Sequence, residues 1–271
     1  MLFAAALTAA CAASHAQVAG TQSRTISVRG EGRTYLLHAA KATRSAAPVV
    51  LSFHGLGSTA AQEELLTGFS AMAEREGFVA VYPEGERRLW HAFGQSSVDV
   101  DFARAILDEL ARSLPIDRRR VFATGISNGA QMAWRLACNM PREIAAVGLV
   151  AGGYPHVCGE DRPPAILFHG TADRLLPYGG RAGQMKVRDF AAGWAAVPGC
   201  RTDPARGDVV YRNGDATGER WRCGRHEAVL YTLDGKGHSW PGSRMPARIT
   251  SRDVDASAVM GRFFRETGQA P

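Results

Sequence analysis

Three residues of this 271-residue chain have the types and placement to perform nucleophilic chemistry together: Ser127, Asp173 and His238. Ser127 lies in VFATGISNG, residues 121–129, between Gly125 and Gly129. Glycines two positions to either side suit a serine held in a strained conformation at a sharp strand-to-helix turn, where side chains would strike the adjoining strand or helix. A helix beginning at Asn128 would set its partial positive end beneath the hydroxyl, where an anion develops. A serine hydroxyl is a poor nucleophile at its own pKa; it needs an imidazole to take its proton and a carboxylate to hold that imidazole. His238, in LDGKGHSWPG, and Asp173, in ILFHGTADRLLPY, supply those groups. The order Ser, Asp, His differs from that of the other common triad proteases and is the one expected of an α/β-hydrolase.

Alternatives attach to each assignment. The pentapeptide alone could be an ordinary turn. Asp234, four residues before His238, is the rival carboxylate, although its expected place is the strand-end turn. His54 and His169 also stand at strand ends, each before a glycine, and read as structural residues that orient the loops after them. The oxyanion formed on attack needs two backbone donors. The amide of Asn128 is one; the other is expected from His54-Gly55-Leu56-Gly57, with Leu56 favoured over Gly57.

The elements that must position these groups alternate between strand and helix. Residues 25–39 form an expected hairpin, TISVRG and RTYLLHA, about Glu31-Gly32. Apolar runs at 48–53, 78–82, 144–150 and 165–168 read as strands buried on both faces, with a further strand at 228–233. Between them fall a helix with Leu65, Phe69, Met72 and Ala73 on one face, another with Phe102, Ile106 and Leu110, the segment GAQMAWRLACNM, and helices near 184–196 and 253–266. Ser97, Asp99 and Asp101 read as helix-start chemistry rather than as a metal site. The pattern predicts an α/β fold of the α/β-hydrolase type: a mostly parallel sheet of about eight strands, with helices on both faces and reactive groups at the strands' carboxyl ends. No linker or repeat divides the chain, so residues 17–271 are expected to form one catalytic domain.

Residues 1–16, MLFAAALTAACAASHA, are apolar, uncharged and end in small residues, as a secretory signal does. They are too few to span a membrane. Secretion or export to a periplasm follows, with a lipid anchor at Cys11 as the lesser alternative. Beyond Cys11, four cysteines remain: Cys138, Cys158, Cys200 and Cys223. An even number in an exported chain implies two disulfides. Of the three pairings, Cys138–Cys158 and Cys200–Cys223 are favoured because each closes a local loop; zinc is disfavoured because no C-x-x-C occurs. The net charge of +6 is scattered, its one tight run being Arg118-Arg119-Arg120 with no interleaved aromatic residue, so it reads as a solvated face and not as a nucleic-acid site.

HGLGS (54–58), YPEG with Trp90 (82–90), SVDVDFARAILDEL (97–110), RRVFATGISNGAQMAWRLAC (119–138), HGTADRLLPY (169–178) and GHSWPG (238–242) together resemble the secreted esterases of the polyhydroxybutyrate-depolymerase-like and feruloyl-esterase-like family. The resemblance implies an α/β-hydrolase fold, no cofactor, extracellular ester substrates, a triad of Ser127, Asp173 and His238, and an oxyanion hole from the Leu56 and Asn128 amides. It also implies that Trp90 and Trp240 flank the cleft. Two departures stand out: the loop after Trp90 reads HAFGQSS, without the paired cysteines common among such enzymes, and Ala130 replaces a glycine.

The expected activity is that of a serine carboxylic-ester hydrolase, monomeric, working through an acyl-enzyme on polyester or its oligomers. Feruloyl or acetyl xylan ester hydrolysis is the alternative. A cell-envelope acyltransferase and a non-catalytic binding protein are the remaining readings, while a prolyl-oligopeptidase-like peptidase lacks room for its propeller.

Overall fold

A computed structural model describes residues 20–40, 46–94 and 96–268; the expected signal at residues 1–16, with Cys11, lies outside the described residues. The strands are β1 Thr21–Val28, β2 Glu31–Ala39, β3 Ala47–Phe53, β4 Val79–Pro83, β5 Ile116–Ile126, β6 Ala146–Val150, β7 Ala165–Gly170, β8 Asp208–Asn213, β9 Ala216–Cys223 and β10 His226–Leu233. The α-helices are α1 Ala60–Thr67, α2 Phe69–Glu76, α3 Val98–Ser113, α4 Asn128–Asn139, α5 Val187–Ala195 and α6 Ala256–Thr267.

All ten strands join one sheet in the order β1-β2-β4-β3-β5-β6-β7-β10-β9-β8. From β4 to β10 every pairing is parallel, and the β1-β2-β4 and β10-β9-β8 flanks are antiparallel. This is a mixed, mostly parallel α/β-hydrolase sheet with two strands more than the sequence suggested. The extra pair is β8 and β9. Strand β8, DVVYRN, is exposed along most of its length, so it has no buried face to leave a period in the sequence.

Alternation along the parallel strands divides the core in two. Val49, Leu51 and Phe53 of β3 face one side, packing with α3, α4 and α5; Val50 faces the other, with α2 and α6. Continuous apolar runs are therefore what this sheet requires, because helices cover both of its faces.

Two local expectations are corrected. The β1–β2 turn is Arg29-Gly30, both at positive φ as a tight two-residue hairpin demands, so Glu31 and Gly32 belong to β2. The expected helix through Leu65 and Phe69 is two helices, broken at Gly68 in the left-handed conformation, which leaves Leu65 exposed. Asp99 and Asp101 do more than start α3. Asp99 is buried and accepts from Arg33 (2.9 Å) and from the His91 amide (2.8 Å), and Asp101 pairs with Arg29, so both brace the opening hairpin. Cysteines 138 and 158 are bonded to each other, as are 200 and 223.

One buried acid lies beneath the loop after β3. Glu63 of α1 accepts from Ser52 Oγ at 2.8 Å, and its second oxygen has no partner. Burial pushes its carboxyl up to about 8, only partly offset by the Ser52 bond. The folded state thus holds a proton that the unfolded chain releases near 4.5, and stability present below that value is lost as pH rises toward about 8. The slope is about 1.4 kcal/mol per pH unit across that window. Glu63→Gln is expected to flatten it, raising the urea midpoint at pH 8 relative to wild type and little at pH 4; parallel curves for the two proteins would contradict this assignment.

Candidate active site

Strand β5 runs into α4 through Ser127, whose φ of 59° and ψ of −120° place a non-glycine residue in a region that L side chains rarely occupy. The turn closes because its flanks carry no side chains. A Cβ at Gly129 would lie 1.9 Å from the Phe53 carbonyl oxygen, and one at Gly125 would lie 2.4 Å from the same atom and 2.6 Å from Gly129 C. Strand and helix therefore approach as closely as the G-x-S-x-G spacing implies. The Ser127 amide is held by Val150 O at 2.9 Å, tying the turn to the end of β6.

Asp173 stands three residues after β7. Its Oδ1 accepts from the amides of Leu175 (2.9 Å) and Leu176 (3.0 Å), and its Oδ2 lies 2.8 Å from His238 Nδ1. A carboxylate only accepts, so Nδ1 carries the proton of the neutral ring and Nε2 is left to act as base. Burial alone would raise the Asp173 pKa. Hydrogen bonding to His169, His238 and the Leu176 amide outweighs it and holds the carboxyl well below its usual range. His169 keeps its place by donating from Nε2 to Leu176 O (2.7 Å), with Asp173 Oδ2 3.4 Å away. Asp234 is engaged elsewhere: its Oδ1 accepts from Thr171 Oγ1 at 3.1 Å.

Ser127, His238, Asn128, Gly55 and Leu56 line one cleft of about 790 Å³. The two candidate donors of the early loop are now distinguishable. The Gly57 amide is committed to Arg88 O at 2.9 Å, whereas the Leu56 amide has no main-chain acceptor among the described residues. His54 sets its direction. The Gly85 amide donates to His54 Nε2 (2.9 Å), so Nδ1 carries the proton and donates to Gly55 O at 2.8 Å. Because a trans peptide sets its N–H opposite its C=O, anchoring Gly55 O fixes the Leu56 N–H on the other side. Burial, against the Gly55 bond and the charge of Glu84, lowers the His54 pKa and keeps that tautomer neutral.

Trp90 and Trp240, expected to flank the cleft, do not line it. Both are buried to 2% exposure or less. Trp90 lies behind the site, donating from Nε1 to His54 O (2.9 Å), edge-on to Phe53; its main chain pairs with the Asn128 side chain through bonds of 2.8 and 3.1 Å. Trp240 packs edge-on against Phe69 and donates to Ser257 Oγ at 3.0 Å, within the core under the opposite face of the sheet. The cleft walls are aliphatic instead: Leu56, Leu66, Leu89, Leu175, Leu176 and Met245. Apart from Leu56, sequence reasoning passed over them, although the signal was present, since Leu175, Leu176 and Met245 follow Asp173 and His238 in the same strand-end loops. Among the described residues no cluster of three or more metal-ligating side chains occurs, and no helix is long and apolar enough to cross a membrane.

Residues 33–163 match the family model described as Esterase PHB depolymerase. NocK of Nocardia uniformis subsp. tsuyamanensis, named as a candidate esterase, is 31% identical over 93% of this chain and 81% of its own length. A bifunctional acetylxylan esterase/xylanase, XynS20E, of Neocallimastix patriciarum is 30% identical over 78% of this chain but only 31% of its own. Feruloyl esterase D of Neurospora crassa is 29% identical over 63% of this chain and 56% of its own. The chain thus spans about half or less of these two relatives. In fold it is similar to an acetyl xylan esterase from Aspergillus awamori (TM-score 0.67, 16% identity, 80% of this chain and 94% of that one). It is likewise similar to Thermogutta terrifontis esterase 2 (TM-score 0.66, 15% identity, 95% and 99%).

Proposed function

Because this chain belongs to the Esterase PHB depolymerase family and is a carboxylic ester hydrolase, we propose that Ser127 is its nucleophile, His238 its general base and Asp173 the carboxylate that orients the base. The supporting observation is the His238–Asp173 pair, 2.8 Å apart, with His238 in the same cleft as a serine in the strained elbow conformation. Ser127 Oγ attacks the ester carbonyl while His238 Nε2 takes its proton. The oxyanion is received by the amides of Leu56 and Asn128, the latter at the α4 N-terminus, where the helix dipole adds to it. His238 then protonates the departing alcohol, and water, activated by the same imidazole, releases the acid and restores Ser127.

The substrate we propose is an aliphatic polyester oligomer of the hydroxybutyrate kind. Aliphatic walls favour short branched acyl chains, and the cleft is open enough to admit several units. Names of relatives favour the second reading, hydrolysis of feruloyl or acetyl esters on xylan. Export also belongs to the proposal: two disulfides suit an oxidising compartment, and residues 17–271 are taken as one catalytic unit acting there. Rates measured side by side on hydroxybutyrate oligomers, methyl ferulate and acetylated xylan test the substrate. The oligomers are expected to lead by about tenfold or more in kcat/KM. Methyl ferulate or xylan in the lead would install the second reading.

A further inference from the structure

The catalytic cleft does not end at its aliphatic walls. A second hollow, of about 330 Å³, lies beside it, bounded by Phe93, Gly153, Pro155 and Gln184. Gln131 and Arg181 line both spaces, so the two hollows adjoin at these two side chains. Gln131, in the first turn of α4, is fixed by donating from Nε2 to Gly153 O at 3.0 Å. Arg181 sits in a tight turn whose main chain bonds to Gln184 in both directions, 3.3 and 2.8 Å; the Met185 amide then fastens the turn to Tyr154 O at 2.9 Å. Gly153 makes room for this arrangement, since a Cβ there would lie 1.3 Å from Gln184 Nε2.

Charge singles out one residue. Arg181 is the only side chain of fixed charge lining either space, and among the described residues no carboxylate lies within ion-pair distance of it. Arg181 is exposed to solvent along the hollow, whereas Arg33 is buried and committed to the fold through Asp99. A polar corner thus stands at the end of an aliphatic cleft, with bonding capacity the fold does not use. An arm with a neutral apolar end would leave that capacity unmet, whereas a carboxylate matches the guanidinium fork.

We propose that Arg181 reads a free carboxylate on the substrate arm entering the second hollow, so that the preferred ester is one whose acid end lies close to the bond being cut. This rests on the reading of the cleft as the site of ester hydrolysis. It adds that acid-ended oligomers are preferred over the interior of a long polyester, where ester bonds are plentiful and carboxylates are scarce.

The test compares a hydroxybutyrate dimer bearing its free acid with the same dimer capped as a carboxamide, which is similar in shape and uncharged. A second pair, 3-acetoxybenzoate and its carboxamide, also carries the acid on the alcohol arm and asks the same question without a hydroxybutyrate unit. Wild type is expected to favour the free acid by about tenfold in kcat/KM, chiefly through KM, and less so as salt is added. In Arg181→Gln the ratio is expected to fall to about one, and Arg181→Lys should restore part of it. A ratio near one in wild type for both pairs, or one unchanged in Arg181→Gln, overturns the proposal. Discrimination that depends on Arg181 in the aryl pair, with both dimers inert, would keep the carboxylate site and discard the polyester substrate. Calorimetric binding of the two dimers and the two aryl esters to Ser127→Ala, with and without Arg181→Gln, gives the same comparison without turnover. Equal binding throughout would also overturn it.

Discussion

Ser127→Ala is expected to reduce hydrolysis of short-chain aryl esters by about 10⁴-fold or more, with the unfolding midpoint and far-ultraviolet spectrum of the wild type retained. Alanine keeps the Cβ that the turn already accommodates. The fold around it depends on the bare backbone of Gly125 and Gly129 and on the Ser127 amide held by Val150 O, none of which the substitution touches. What is lost is the acyl-enzyme itself. Any residual rate would come from the two backbone donors polarising the carbonyl for attack by water. Near-wild-type turnover in the purified variant would remove the nucleophile assignment, and the mechanism with it.

Asp173→Asn carries the second large effect, a loss of about 10⁴-fold in kcat, against a change of less than about tenfold for Asp234→Asn. The asymmetry follows from their partners. Asp173 accepts from His238 on one oxygen and from two amides on the other, so an amide in its place either turns an NH₂ toward those backbone donors or presents it to the imidazole. The second orientation forces His238 into the tautomer with its proton on Nε2, the nitrogen that must accept. Asp234 accepts from Thr171 at the protein surface, where asparagine can do the same. Comparing kcat for the two variants on one aryl ester decides it; the reverse ranking would transfer the acid to Asp234.

Much of this arrangement was legible in the sequence because the decisive signals are local. A pentapeptide holds the elbow, and continuous apolar runs mark strands buried on both faces, so the residues after each run mark the carboxyl edge where the site lies. The less legible parts depend on contacts between distant segments. Nothing near Trp90 in the chain says that its indole turns inward to meet His54 O, 36 residues earlier, instead of outward to the cleft. The aliphatic walls come from α1 and from loops after several different strands, each leucine unremarkable by itself. Strand β8 escaped notice because pairing with β9, and not burial, holds it in the sheet. At Gly68 a helical period spans a break, since periodicity in apolar residues continues even where the backbone reverses its hand.

Trp90 has a further consequence for how the protein fails. One residue holds both halves of the anion-binding pocket proposed above, gripping the His54 carbonyl with its indole and the Asn128 side chain with its main chain. Its own segment, residues 84–94, contains no strand or α-helix and no disulfide, and neither bridge crosses from it to the rest of the molecule. Fraying of that segment would release both donors in a single event while the sheet stays folded. Heat would then silence the enzyme before melting it, with inactivation reversible on cooling so long as the ten strands remain paired.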